Sequence, residues 1–174
     1  MGKINDIYDA VDDFGLITSA EAAELGVSRA EMVQQEKMGK LTRVARGVYR
    51  MPVWPSQREA PYAIAVKAAG EGAFLYGESV VALLELAPTD PSKMYLASPK
   101  RCRRELGAGV SVKRVNDVSP VYLEGIACQP TPNAIITAAA TMGTDRALSA
   151  TREALKQGYI TQSQADQIEK ELTR

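Results

Sequence analysis

The apolar positions near the start of the chain are Ile4, Ile7, Tyr8 and Val11. Spaced at i, i+3, i+4 and i+7, they form one stripe on a helix. The pattern predicts a first helix that Gly15 ends. In "LITSAEAAELG" the polar pair Thr18 and Ser19 precedes Ala22, Ala23 and Leu25, with Glu21 three residues after Thr18. That spacing is a capping box, and Gly26 is placed to close the second helix. Ser28 and Glu31 repeat the device for a third helix running to about Met38, before Gly39. Two short helices joined by a tight glycine turn are the helix-turn-helix pattern. "KLTRVAR" and "GVYRMP" follow, rich in β-branched and aromatic residues, with "ARG" between them as the predicted tip of a hairpin. Pro52 and Pro55 interrupt regular structure. The order helix, helix, turn, helix, hairpin predicts a winged helix-turn-helix over residues 1–55.

The pattern then changes texture. A helix is predicted behind Pro61, ending near Gly70, and a short apolar run at "AFLYG". "ESVVALLELAP" predicts a helix stopped by Pro88. "KMYLASP", "VSVKRV" and "PVYLEGIACQP" predict strands. Three closing helices are expected in "TPNAIITAAATMG", "DRALSATREALKQGYI" and "TQSQADQIEKELTR". Thr131 and Thr144 are candidate caps for the first two, and Thr161 with Gln164 for the last. Residues 56–174 thus read as a mixed domain, a small sheet flanked by helices. The fold class of the whole chain is α/β, of the α+β kind.

Charge adds information that the helix and strand pattern lacks. The chain has 174 residues and a formal net charge of +0. Residues 1–36 nevertheless hold two basic residues, Lys3 and Arg29, against eight acidic ones. Residues 37–50 hold Lys37, Lys40, Arg43, Arg46 and Arg50, and no Asp or Glu. Such a field acts on a partner locally, whatever the total charge. On a helical wheel, Met32 and Gln35 lie on the inner side of the third helix. Arg29, Ala30, Val33, Gln34 and Lys37 lie on the other side, and Ser28, which flanks the inner side at the helix start, is a DNA-binding candidate with them. Arginine can take guanine bidentately, glutamine can take adenine, and Ala or Val can meet a thymine methyl. Lys40, Arg43, Arg46 and Arg50 fall along the wing, where a phosphate backbone would run. The partner expected is double-stranded DNA.

A second basic cluster is Lys93, Lys100, Arg101, Arg103 and Arg104, opposed by Glu105 alone. It reads first as a solvated loop or helix start after a strand; the functional alternatives, extra phosphate contact or a partner-binding surface, stay open.

Catalysis finds little support. The chain has no histidine, which removes imidazole general acid–base chemistry and most zinc sites. No phosphate-binding glycine loop is present, and no strand candidate carries the Asp and Glu-x-Lys pairing of a restriction-type nuclease. No catalytic residue, metal site or cofactor is expected. Cys102 and Cys128 are expected as free thiols. No apolar run reaches the ~18 residues of a membrane span, and the acidic N-terminus lacks a signal-peptide core, so a cytoplasmic location is expected.

The stretch "GLITSAEAAELGVSRAEMVQQEKMGKLTRVARGVYRMP", 15–52, closely resembles the N-terminal winged-helix domain of the AbiEi-like antitoxins of type IV toxin–antitoxin systems. The glycine, its flanking arginines and the Val-Tyr pair in "GKLTRVARGVYRMP" carry its most specific part. The rest of the chain resembles the family's longer domain more loosely, through "YGESVVALLELAP", "MYLASP" and "QPTPNAIITAAATM". The resemblance implies an antitoxin that represses its own operon at promoter repeats. It also implies antagonism of a nucleotidyltransferase-like toxin, without a stable complex. The residues matching the family's DNA-binding part are Arg29, Gln34 and Lys37 on the third helix and Arg43, Arg46 and Arg50 on the wing. Gln35 and Glu36 depart from the family, standing where apolar residues are usual. The same N-terminal domain occurs on stand-alone regulators. The second reading is therefore a transcriptional regulator whose other domain senses a ligand or dimerises.

Overall fold

The computed structural model describes residues 2–174. The protein is mixed α/β, with eight helices and two sheets among the described residues. It packs as two units, one reaching to Ala68 and one running from Ala69 to Arg174.

In the first unit α1 covers Lys3–Ala10 and buries Ile7. It ends before Gly15, where a stop was expected. Val11 is already extended, with ψ 152°. The Asp12 carboxylate then accepts from the N–H groups of Phe14 and Leu16, each at 2.9 Å. This local ring turns the chain into a strand the pattern did not predict, β1 at Leu16–Thr18. Helix α2, Ser19–Glu24, opens with the expected capping box between Thr18 and Glu21. Gly26, at φ 78°, supplies the left-handed turn. Helix α3, Arg29–Lys37, opens with the second capping box, Ser28 with Glu31. Strands β2, Thr42–Ala45, and β3, Val48–Arg50, form the hairpin around Arg46 and Gly47. Strand β3 is the centre of an antiparallel sheet in the order β1-β3-β2, with Ile17 opposite Tyr49 and Thr42 opposite Arg50. Ile7, Ile17, Ala22, Val27, Met32, Leu41, Tyr49 and Met51 make one buried cluster, with Ile4, Val11 and Trp54 packed against it. Every element from α1 to β3 contributes to this cluster except β2, so burial of apolar surface fixes the position of α3. Helix α4, Ala60–Ala69, starts just ahead of Pro61, where a missing N–H costs nothing.

The second unit holds a five-stranded sheet in the order β6-β5-β4-β8-β7. These are β4 Phe74–Leu75, β5 Met94–Ser98, β6 Val110–Arg114, β7 Val121–Leu123 and β8 Ile126–Cys128. β5 pairs with β6 and β4 with β8 in parallel, while β4 with β5 and β7 with β8 run antiparallel. The β7–β8 turn uses left-handed Glu124 and Gly125, at φ 51° and 76°, as a tight hairpin requires. Helix α5, Glu78–Leu83, precedes β5, and α6, α7 and α8 follow at Thr131–Met142, Thr144–Gln157 and Gln162–Leu172. Buried Ala134, Ala138, Ala147, Ala150 and Ala154 line these helices and allow close backbone approach. Gln129 ties sheet to helix: its side-chain oxygen accepts from Gly77 N–H at 3.0 Å and its amide donates to Thr137 at 3.0 Å.

The expected caps Thr131 and Thr144 are corrected. Pro130 and Gly143 occupy those N-cap positions, and both threonines lie inside the first turn. Gly143 ends α6 and begins α7 directly, so no extended residue remains between them to present a hydroxyl. Thr161 does cap α8, with Gln164 completing the box. Cys102 and Cys128 are free thiols. Cys128 is buried, and that burial pushes its thiol up to about 12.

Candidate nucleic-acid interface

Helix α3 turns Met32 into the core, fully buried. Positions 100° apart then fix the outer side: Ala30, Val33, Gln34 and Lys37 are all exposed, as are Ser28 and Arg29 at the helix start. Val33 is 40% exposed, high for an apolar side chain in a small folded unit. Gln35 and Glu36 are half-buried on the margin of the packed side. The Gln35 side-chain oxygen is buried and accepts no hydrogen bond, a cost of about 1–3 kcal/mol for a buried acceptor. An apolar residue there would avoid this cost.

The hairpin adds Arg43 on β2 and Arg46 at the turn, both exposed, with Lys40 exposed just before β2. The β2–β3 register shifts between Arg43 and Ala45, a bulge that increases local twist. The tip also meets α2: Ser19 donates its backbone N–H to the Gly47 carbonyl at 2.9 Å. The first turn of α2 and the hairpin tip are therefore neighbours.

Two of the expected contact residues are committed elsewhere. The Ser28 hydroxyl accepts from Glu31 N–H at 3.2 Å, holding the start of α3. The Arg50 guanidinium donates to the Trp54 carbonyl at 2.8 Å, holding the chain that leaves β3. The others are not committed. Among the described residues, none of Arg29, Lys37, Lys40, Arg43 and Arg46 is ion-paired.

Three nearby acids, Asp12, Glu21 and Glu31, are matched by lysines, whereas Glu24 on α2 and Glu36 on α3 have no ion pair among the described residues. Glu31 is ion-paired with Lys3 of α1, which also donates to the Gly26 carbonyl at 3.2 Å. The Lys3 hydrogen bond, aided by Ser28 N–H, lowers the Glu31 carboxyl to about 2. Lys67 of α4 lies 2.8 Å from Glu21 and 3.7 Å from Asp12. Partial burial pushes Glu21 up, but the Lys67 and Thr18 hydrogen bonds outweigh it and its carboxyl is lowered. Lys3 and Lys67 are electrostatic members of this surface that pattern reasoning missed. No local motif announces them, because their partners lie far along the chain.

The second basic cluster is separate. Lys100, Arg101, Arg103 and Arg104 are exposed on the segment between β5 and β6, and Lys93 is exposed just before β5. Lys113 on β6 lies 5.8 Å from the centre of the Tyr76 ring, within cation–π range. Among the described residues, no group of three or more Cys, Asp or Glu side chains is placed to hold a metal ion. Among the described residues, no helix is long and apolar enough to cross a membrane.

Residues 6–52, from α1 through the end of the hairpin, match the family model described as transcriptional regulator, AbiEi antitoxin. The resemblance read in residues 15–52 falls inside this match. No curated protein matches the chain.

Proposed function

We propose that the first unit is a winged helix-turn-helix that binds duplex DNA, and that the protein is an antitoxin repressing its own operon. In this reading α3 enters the major groove with Arg29, Ala30, Val33, Gln34 and Lys37 toward base edges. The β2–β3 hairpin is the wing, and Lys40, Arg43 and Arg46 lie along phosphate. Ser28 and Arg50 serve by holding α3 and the end of the wing in place. The observation that carries the reading is the asymmetry of pairing. Five cations on α3 and the wing are unpaired, whereas Asp12, Glu21 and Glu31 are matched by lysines. The family match over the same residues supports it. Repression at promoter repeats, and antagonism of a nucleotidyltransferase-like toxin without a stable complex, are the finer parts of the proposal. No catalytic step is assigned to any residue, and the expected setting is the cytoplasm.

Footprinting of the full chain on its own upstream DNA, at stated salt, tests repression. A protected, repeated site is the expected result; protection no better than on unrelated duplex would remove operator recognition. Co-expression with a neighbouring nucleotidyltransferase-like gene tests antagonism, with restored growth expected.

One observation favours a second reading, a stand-alone regulator. The family match stops at residue 52 and leaves the second unit outside it. That unit would then sense a ligand or mediate dimerisation. Absence of a toxin gene beside this one, with operator binding intact, would select it.

A further inference from the structure

The first-turn acids of α2 and α3, Glu21 and Glu31, are each matched by a lysine that belongs to neither helix. Glu21 sits in the first turn of α2, and that turn adjoins the hairpin tip through the Ser19–Gly47 hydrogen bond. An unopposed carboxylate there would repel phosphate arriving at Arg46. Lys67 stands against it, 2.8 Å from Glu21 and 3.7 Å from Asp12, with its side chain only 21% exposed. Lys3 does the same for Glu31 at the start of α3. Both lysines lie outside the segment that would touch DNA: Lys3 on α1, Lys67 on α4 beyond the family match.

We infer that Lys67 is a positioning residue for DNA binding, acting through Glu21: it cancels the carboxylate beside the wing tip and so keeps the phosphate-facing surface positive. This rests on the DNA-binding reading above. It assigns to α4 a share in the operator affinity although α4 carries no contact residue.

The test uses the full chain and a duplex of its own upstream sequence, at low and at raised salt. K67Q should weaken binding about fivefold at low salt, the factor expected for one uncompensated charge in high dielectric, and the difference should shrink as salt screens it. K67Q/E21Q should recover most of the loss, because glutamine at position 21 still serves the capping box. K67R should bind like wild type. If E21Q does not relieve K67Q, Lys67 is only a strut and the inference fails. Wild-type affinity in K67Q overturns it equally. Should K67Q not fold, E21Q alone decides: tighter binding, by about twofold or more at low salt, supports the inference, and weaker binding refutes it. A wild-type chain that binds no duplex at all removes the DNA-binding reading and this inference with it.

Discussion

Trp54 covers Gly15. A Cβ built on Gly15 would lie 2.4 Å from the Trp54 ring atom Cγ. The indole N–H donates to the Asp13 carbonyl at 2.9 Å, and Met51 donates its backbone N–H to the Gly15 carbonyl at 2.9 Å. The segment after β3 is thereby fastened to the turn before β1. Gly15 also sits at φ 71°, a region that other residues adopt only with strain. Gly15→Ala should therefore destabilise the first unit by about 2–4 kcal/mol. Denaturant unfolding followed by Trp54 fluorescence reads this directly, because the chain has one tryptophan. A midpoint unchanged from wild type would mean that Trp54 does not hold this place.

The wing makes the second prediction. Arg46 is exposed and unpaired, so it should hold phosphate rather than read a base. Arg46→Ala should weaken specific and non-specific duplexes about equally and lower the salt slope by about one unit. A loss confined to the operator, at unchanged slope, would make it a base-reading residue instead.

On α3, Gln34 is exposed opposite buried Met32. Gln34→Ala should cost about 1–3 kcal/mol at the preferred base and relax the preference there. Binding to operators permuted at each position measures it, and an unaltered preference profile would remove Gln34 from the reading set.

Glu31 predicts a pH dependence. Its carboxyl is lowered from 4.5 to about 2 by Lys3 and then by Ser28. A depressed carboxyl stabilises the fold while ionised, fully above its ordinary value, and the contribution is lost as pH falls through the folded value. The stability gap between wild type and Glu31→Gln should hold at neutral pH and close between pH 4.5 and about 2. Denaturation midpoints of both proteins across that range test it. A gap that stays constant would show that Glu31 acts only as a hydrogen-bond acceptor.

What the sequence made legible was local. Thr18 with Glu21, Ser28 with Glu31 and Thr161 with Gln164 are pairs three residues apart, and each forms the expected box. The hairpin tip at Arg46 and Gly47 and the helices after residue 60 were legible for the same reason, but "AFLYG" holds the strand β4 and "PVYLEGIACQP" folds as the two strands β7 and β8. The misses involve longer reach or competition between neighbours. Strand β1 exists because β3 pairs with it, and nothing within "LIT" demands that pairing. Thr131 and Thr144 have cap chemistry, but Pro130 and Gly143 hold the positions that would use it. The basic run on α3 and the wing was visible as composition. That Lys3 pairs with Glu31 and Lys67 with Glu21 depends on side chains brought together from separate elements.

The two residues of β4 join strands of very different origin. On one side Leu75 faces Leu96 of β5, and on the other Cys128 of β8; all three are buried. The sheet thus closes only when a segment after α5 and a hairpin just before α6 have both arrived at Phe74–Leu75. Contacts of such sequence separation cost loop entropy before they return any burial. The second unit should consequently fold late and as a whole, with little gained from any half of its sheet. On a ribosome, β4 would emerge early and wait without its partners until β8 had been made.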